Sequence, residues 1–490
     1  TTPVGTATAT GATPPVDGCP PITGFTVELV ATNPLERRLR VALDGETTAW
    51  AECTAGDDPL EDLLAESTVP SDAHELVIRG LRAGTRYTCA VHPGCGGPAR
   101  IATFTPVAPA SLPPFTVETS GEGPSEPYTL INTQASGFAD APVLAIVDPD
   151  GAPRWVYEVG EPLVIDLDAE VEDGGTSVHL GGGWAYHDED HPTRGVFRDV
   201  DLSGRTLLER TTPAFGIGWN HHSEKLDDGS YLSLTFSENT GFDKTFYGVG
   251  VEQWHPVTGL GWTWSSQGLV DAGEVPDPGD DVSPYHANSV SFVDDAWGPA
   301  AWISLYKARE IWRIDRATGE RTHVFGPNGT FTLLDADGAP LGDDQWTYVQ
   351  HDPDYTDDGR AVMYDNGQER PVPVRYSRVV ELQFDLDANT ATLLWTWTEP
   401  NWFDPVLGDA DYLPNGNILV TKGFSESWTP TRDDVSQVLE LKLPDEVVWR
   451  LSWTNRWPTF RASRYDGCAL FANARYCPAV ATRLAALRGT

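Results

Sequence analysis

HHSEKLDDGSYLSLTF (221–236), QHDPDYTDDGRAVMYDNG (350–367) and GDADYLPNGNILVTKG (408–423) are three copies of one pattern. Each places a polar residue, an alternating run, a turn at Asp-Gly or Asn-Gly, and a second run. Period-two alternation broken at such a dipeptide marks a β-hairpin. The leading polar residue stands seven positions before the turn glycine at His222 and Asp409, and eight at His351. DLDAEVEDGGTSVHLGGG (166–183) is a weaker copy that carries Asp168.

Between these hairpins lies a second unit, a β-rich run, a turn, and a run often bearing Trp. It occurs six times, as VLAIVDPDGAPRWVYEV, RGVFRDVDLSGRTLLERT, YGVGVEQWHPVTGLGWTWS, REIWRIDRATGERTHVF, SRVVELQFDLDANTATLLWTWT and SQVLELKLPDEVVWRLSW. Its turns fall near Gly151, Gly204, Gly259, Gly319, Asn389 and Asp445, 53 to 70 residues apart. An inner hairpin plus an outer hairpin makes a four-stranded unit, and six such units predict an all-β fold, a six-bladed β-propeller.

Ahead of the repeats, residues 1–21 are rich in Thr, Ala, Pro and Gly and predict a flexible tether. Residues 22–108 hold short alternating runs, and the stretch from Leu76 to Val91 resembles the late strands of a fibronectin type III domain. A small β-sandwich is expected there, anchored by Leu81 and Tyr87. Residues 109–126 are expected to be a linker, 127–463 the propeller, and 464–490 a disulfide-stapled tail.

The chain of 490 residues is 40% hydrophobic, with 18 Trp and 15 Tyr, which supports large cores and excludes wholesale disorder. With 33 basic against 72 acidic residues the formal charge is −39, spread along the chain. Such a surface repels phosphate backbones, so nucleic acid is not an expected partner. No apolar run is long enough for a membrane span. Cys19, Cys53, Cys89 and Cys95 form one group and Cys468 and Cys477 another, without CxxC spacing. Disulfides are expected, and with them an oxidising, secreted or periplasmic location. Cys468 and Cys477 are expected to pair, while the first four leave three connectivities open. The oligomeric state is not set by the sequence.

Aligned on their turns, the inner hairpins put Asp168, His222, His286, His351 and Asp409 at equivalent places, His286 by its HANSV context. The start of an innermost strand lies at a channel mouth, so these side chains are expected to converge there. Three of the eleven histidines at one repeat position point to a functional site over isolated structural histidines. They suit a zinc, copper or iron ion with open positions for substrate. Wall residues of a propeller that only binds a partner are another reading. Trp219, Trp346 and Tyr348 border the expected mouth and suit stacking on an aromatic substrate.

HHSEKLDDG, YHANSV, EIWRIDRATGE, QHDPDY with YDNG, SRVVELQFD and DADYLPNGNILVT together resemble the bacterial arylsulfate sulfotransferases, from about Thr129 to Arg464. The resemblance implies a six-bladed propeller behind a small β-domain. It also implies sulfuryl transfer between phenols through a sulfohistidine, with no cofactor and with small phenolic or aryl sulfate substrates. By motif, His351 matches the nucleophile, His286 and Asn288 the groups around the sulfate and leaving oxygen, and His222 the remaining histidine. The family's sulfate-holding arginine is replaced by Tyr306, since the segment reads SLYKAREIWRID. Lys307 and Arg309 are expected on other faces, and Arg378 is a candidate for reaching the channel. Under the metal reading, Tyr306 becomes a ligand or proton donor, and the enzyme a hydrolase, lyase or oxidase. LLDADGAPLGDD (333–344) is expected to be a loop insertion, and HDEDH (187–191) a solvated loop.

Overall fold

In a computed structural model of the chain, the residues described are 18–489 apart from 57, 108, 110, 134–141, 161–164, 185–194, 424–434 and 455–457. The HDEDH segment therefore lies outside the described residues, as does most of the expected tether.

Six sheets each contain a four-stranded antiparallel meander. Their innermost strands are Ile165–Glu172, Gly218–Lys225, Ala287–Asp295, Gln350–Tyr355, Asp409–Tyr412 and Ala462–Tyr465. We number the blades by these strands. The first five touch in succession, and Ala462–Tyr465 neighbours both Ile418–Lys422 of blade 5 and Ile165–Glu172 of blade 1, which closes the ring. The all-β propeller architecture holds.

Blade 6 is assembled from both ends of this region. Ala462–Tyr465 pairs with Tyr128–Thr133, in the register Ala462 to Ile131 and Tyr465 to Tyr128, followed by Val143–Val147 and Pro153–Glu158. A shared blade removes the two open edges that a linear array would leave. The alternating runs supply the cement: Leu144, Ile146 and Trp155 face Leu167, Val178 and Leu180 of blade 1 in one apolar cluster. Two additions widen the sheets. Thr116–Thr119, in the expected linker, pairs with the outer strand Glu446–Thr454 of blade 5. Thr332–Leu334, in the expected insertion, adds a parallel outer strand to blade 4.

The N-terminal region departs from the fibronectin-like sandwich, which would have two sheets. Here Ile22–Leu29, Arg37–Ala55, Asp58–Ile78, Tyr87–Pro93 and Arg100–Phe104 form one five-stranded sheet. The 19-residue strand Arg37–Ala55 pairs with Ile22–Leu29 along its first half and with Tyr87–Pro93 along its second, so both would-be sheets share it. Its pairing with Asp58–Ile78 shifts register between Ala42 and Ala49, and one core packs on the sheet, with Leu81 and Tyr87 fully buried in it. Cys53 bonds Cys89 across this sheet and Cys19 bonds Cys95, which resolves the open connectivity. Cys468 bonds Cys477, as expected. Among the described residues no helix is long and apolar enough to cross a membrane.

The tail clamps this sheet to the propeller. Helix Pro478–Arg488 buries Leu484 against Trp50 and Leu64. At the centre of the joint, Arg154 of blade 6 is fully buried; its Nη1 donates to Glu61 of the N-terminal sheet at 2.8 Å and its Nε to Asp148 at 2.7 Å. Burial alone would raise the Glu61 carboxyl, yet Arg154 outweighs it and holds it below the ordinary range. Breaking one side of a buried ion pair strands the other charge. Arg154→Met is therefore expected to cost about 3–5 kcal/mol of unfolding free energy, read as a lower urea midpoint. An unchanged midpoint would show that the bridge does not hold the joint.

Candidate functional site

The innermost strands begin at one end of the ring, and the residues there are Asp168, His221 and His222, His286, His351, Asp409 and Arg461. Three of these strands break register at this point. Pairing skips from Trp219 to Ser223 in blade 2, from Ala287 to Ser289 in blade 3, and from His351 to Asp354 in blade 4. Positive φ values accompany the breaks: 24° at His221, 49° at His286 and 42° at Asp352. Non-glycine residues adopt such angles at a cost, and bulges of this kind re-aim side chains beside functional sites. Gly182 makes room for one of them. Its φ is +77°, and a Cβ there would lie 2.4 Å from the His221 carbonyl oxygen.

The bulges sort the side chains into two groups. In the first, His221 Nε2 lies 3.1 Å from His286 Nε2, so one imidazole donates and the other accepts. The Tyr306 ring stands between His286 and His351, with ring centroids 5.0 and 5.7 Å away, and its hydroxyl donates to Gln368 Oε1 at 2.6 Å. Phe460 flanks His221 and His351, at 6.1 and 6.5 Å.

His351 is oriented from behind. Asn366 donates its amide nitrogen to the carbonyls of Asp404 and Leu407, at 2.9 and 2.8 Å, so its oxygen must face the imidazole. That oxygen lies 2.7 Å from His351 Nδ1. An amide oxygen only accepts, so Nδ1 carries the proton and the lone pair resides on Nε2.

The second group is built round Arg461. This fully enclosed guanidinium pairs with Asp168 and, through Nε at 2.7 Å, with Asp352. Its Nη1 lies 2.7 Å from His222 Nδ1, and Nη2 donates to the Asn288 carbonyl at 3.0 Å. Asn288 in turn donates its side-chain amide to the Gln350 carbonyl at 2.8 Å. The same inner strands carry further acids, Glu170, Glu224, Asp354, Asp409 and Asp411, which make the inner wall acidic. Burial, and then neighbouring carboxylates, push Glu170, Asp409 and Asp411 well above the ordinary range, Asp354 to about 6 and Glu224 to about 7. Asp168 is the exception. Burial raises it, but the Arg461 charge beside it keeps it low.

Against the expected constellation, His286 and His351 border the same aromatic Tyr306, but the imidazole that meets His286 is His221. His222 turns to Arg461 instead. Alignment on the turn glycines selected His222, and the break in pairing from Trp219 to Ser223 lets its neighbour His221 meet His286. Arg461 itself was missed. It holds the sixth blade's copy of the histidine position, and RASRY (461–465) became legible as an inner strand only once paired with Tyr128–Thr133.

The expected aromatic border is absent from this cluster. Trp219 is buried against Phe197, with ring centroids 5.0 Å apart, under the Arg210 guanidinium. Trp346 packs on Phe325 at 5.2 Å, and Tyr348 donates to the Asp343 carbonyl at 3.0 Å, both in the apolar cluster between blades 3 and 4. Arg378 is committed to Asp365 and the Gln345 carbonyl, at 2.8 and 2.6 Å, so it braces blade 4. Lys307 and Arg309 pair with Asp281 and Glu369, at 2.8 and 2.9 Å. Among the described residues, Asp352, Asp409 and Asp411 bring donor oxygens within 4.8 Å of one another, whereas His222, His286 and His351 form no such group.

Residues 273–459 match the arylsulfotransferase (ASST) family. The matched stretch carries His286, Asn288, Tyr306 and His351, and it bears out the resemblance at the level of the family. No curated protein matches the chain. Similar solved structures include a protein of unknown function from Bacteroides caccae (13% identity, covering 69% of this chain and 98% of that one, TM-score 0.42). The periplasmic gluconolactonase of Pseudomonas aeruginosa is another (10%, 69% and 96%, TM-score 0.35). A third is the β-propeller domain of Myceliophteria thermophila Cps50 (11%, 69% and 99%, TM-score 0.32). Likeness this distant carries no argument about chemistry.

The acidic wall makes a direct prediction. A carboxyl whose folded value is raised contributes stability while it is protonated, and that contribution is lost as pH rises through the folded value. For Glu224 the loss runs from the ordinary carboxylate range up to about 7. Glu224→Gln mimics the protonated form. It is expected to melt above the wild type at about pH 8, with the gain shrinking towards about pH 4.5. A gain of equal size at both would refute the raised carboxyl.

Proposed function

We propose that this protein is an extracytoplasmic arylsulfotransferase-like enzyme that moves a sulfuryl group from an aryl sulfate to a phenol through His351. The observation that carries the reading is the Asn366 bond, which leaves the His351 lone pair on Nε2. In the first half-reaction that lone pair forms an N–S bond while the S–O bond to the aryl ring breaks, and the phenolate leaves with the electron pair. In the second, the acceptor phenol loses its proton, its oxygen attacks sulfur, and the N–S bond breaks. One aryl sulfate and one phenol thus become the other pair, with no cofactor. Splitting the transfer in two is what a covalent nucleophile provides.

The neighbours suit the remaining tasks. The His221–His286 pair holds one proton between two Nε2 atoms, a relay able to protonate the leaving phenolate and accept the acceptor's proton. Tyr306, His351 and Phe460 give the aromatic rings of substrate a face to pack against. Tyr306 stands where the family pattern has arginine, so a neutral hydroxyl held by Gln368 replaces a cation. The three disulfides accord with an oxidising compartment. The alternative of a zinc, copper or iron centre on His222, His286 and His351 gains no support from their arrangement.

The test uses 4-nitrophenyl sulfate with and without phenol. The wild type is expected to release nitrophenol in proportion to acceptor, and without acceptor to gain the mass of one sulfuryl group. His351→Ala is expected to lose both signals, and Asn366→Leu to slow turnover roughly 100-fold or more through the wrong tautomer. A mass gain that survives in His351→Ala would overturn the assignment.

A further inference from the structure

We infer that Arg461 is a positioning residue for His222, forcing that imidazole into the Nε2–H tautomer so that it serves the transferring group as a hydrogen-bond donor and not as a base. The inference rests on the sulfuryl-transfer reading for its consequence, and on geometry alone for the tautomer.

Arg461 Nη1 and His222 Nδ1 are 2.7 Å apart. A guanidinium has no lone pair and stays protonated, so it can only donate. Nδ1 must therefore accept, because a proton on Nδ1 would meet the arginine proton head-on. Asp168 Oδ2 also lies near Nδ1, at 3.2 Å, and by itself would draw the proton there. The two neighbours ask for opposite tautomers. The contact with Arg461 is shorter, and Arg461 Nη1 bonds the same Asp168 oxygen, which satisfies the carboxylate without help from the imidazole. Arg461 therefore decides.

The proton then sits on Nε2. That atom is buried and has no hydrogen-bond partner among the described residues, although a buried N–H is normally paired. The neighbouring Asn288 shows the same feature: its amide nitrogen is used by Gln350, while its Oδ1 is buried and unpartnered among the described residues. A buried donor and a buried acceptor, each without a partner among the described residues, thus stand on adjacent inner strands, and the second of these strands neighbours that of His351. They suit a ligand that accepts at one oxygen and donates at another, as a sulfuryl ester beside a phenolic hydroxyl does. A donor fixed in advance towards a developing oxyanion is worth more than one that must reorient.

The experiment reads the proton position directly. Protein labelled with 15N-histidine is examined by long-range 15N–1H correlation, the His222 signals being identified by their loss in His222→Asn. The wild type is expected to show Nε2 protonated and Nδ1 bare. Arg461→Met removes the donor and leaves Asp168, so the proton is expected to move to Nδ1; Arg461→Lys, which still donates, is expected to keep it on Nε2. Turnover of 4-nitrophenyl sulfate with phenol should fall roughly 100-fold in the Met variant and be partly restored in the Lys variant. Nδ1 protonated in the wild type would overturn the inference, and that result is available even if Arg461→Met fails to fold. A wild type with the stated tautomer but no turnover would instead sink the sulfuryl-transfer reading and leave the positioning intact.

Discussion

One buried guanidinium ties the ring together. Arg461 belongs to blade 6, and it reaches Asp168 of blade 1, His222 of blade 2, the Asn288 carbonyl of blade 3 and Asp352 of blade 4. Each inner strand would otherwise present a polar group to an enclosed channel at the full cost of desolvation. Because the arginine is carried on the strand that closes the ring, closure of the fold and assembly of the site are the same event. The acidic inner wall explains why a cation belongs at that place. Burial would lower the Arg461 guanidinium, but Asp168, Asp352, Asp409 and Asp411 outweigh it and keep it protonated.

The strained backbone follows from that closure. Positive φ at His221, His286 and Asp352 is tolerated where surrounding contacts over-determine the chain. Here the contacts are the ladders on one side and the Arg461 network on the other. What the strain yields is direction: two adjacent histidines of one strand serve two different groups, His221 facing His286 and His222 facing Arg461. A regular strand also sends neighbours to opposite faces, but one face would then lie inside the blade. The bulge lets both reach the channel.

This is why the sequence revealed the fold well and the site only in part. Four-stranded units follow from alternation and turn chemistry, and both survive averaging over a blade. His286 and His351 were legible because they stand at strand starts, ahead of the irregularities. His222 was chosen over His221 because alignment on the turn glycine assumes an unbroken ladder, and the ladder skips from Trp219 to Ser223. Arg461 was invisible for a different reason. Its strand has four residues and no hairpin of its own, and its partner Tyr128–Thr133 lies more than three hundred positions earlier. Trp219, Trp346 and Tyr348 misled because a tryptophan beside a strand start can face the channel or the blade, and sequence does not distinguish the two. The N-terminal sheet was misjudged because strand length is the least legible feature, and Arg37–Ala55 spans what two strands of a sandwich would share.

A chain of formal charge −39 is an awkward host for an anionic ester, and among the described residues the cations named at the site, Arg461, Lys307 and Arg309, are all paired with carboxylates. The positive charge of Arg461 is balanced by Asp168 and Asp352, so it does little to attract an anion from a distance. On the proposed reading, what meets the substrate are neutral groups: the imidazoles and the Tyr306 hydroxyl. Dipoles fall off faster with distance than charges do, so they do not compensate the repulsive field during approach, but at contact and in an enclosed site they stabilise charge strongly. The proposed chemistry therefore demands that the long-range field be screened by salt, which shortens its reach to about 8 Å at physiological ionic strength. On this argument, capture of an aryl sulfate strengthens as ionic strength rises, opposite to the behaviour of an enzyme whose mouth carries an exposed arginine. The expected readout is a KM for 4-nitrophenyl sulfate that falls with added salt while kcat changes little. A KM that rises with salt would place an uncompensated cation at the mouth and contradict the neutral site described above.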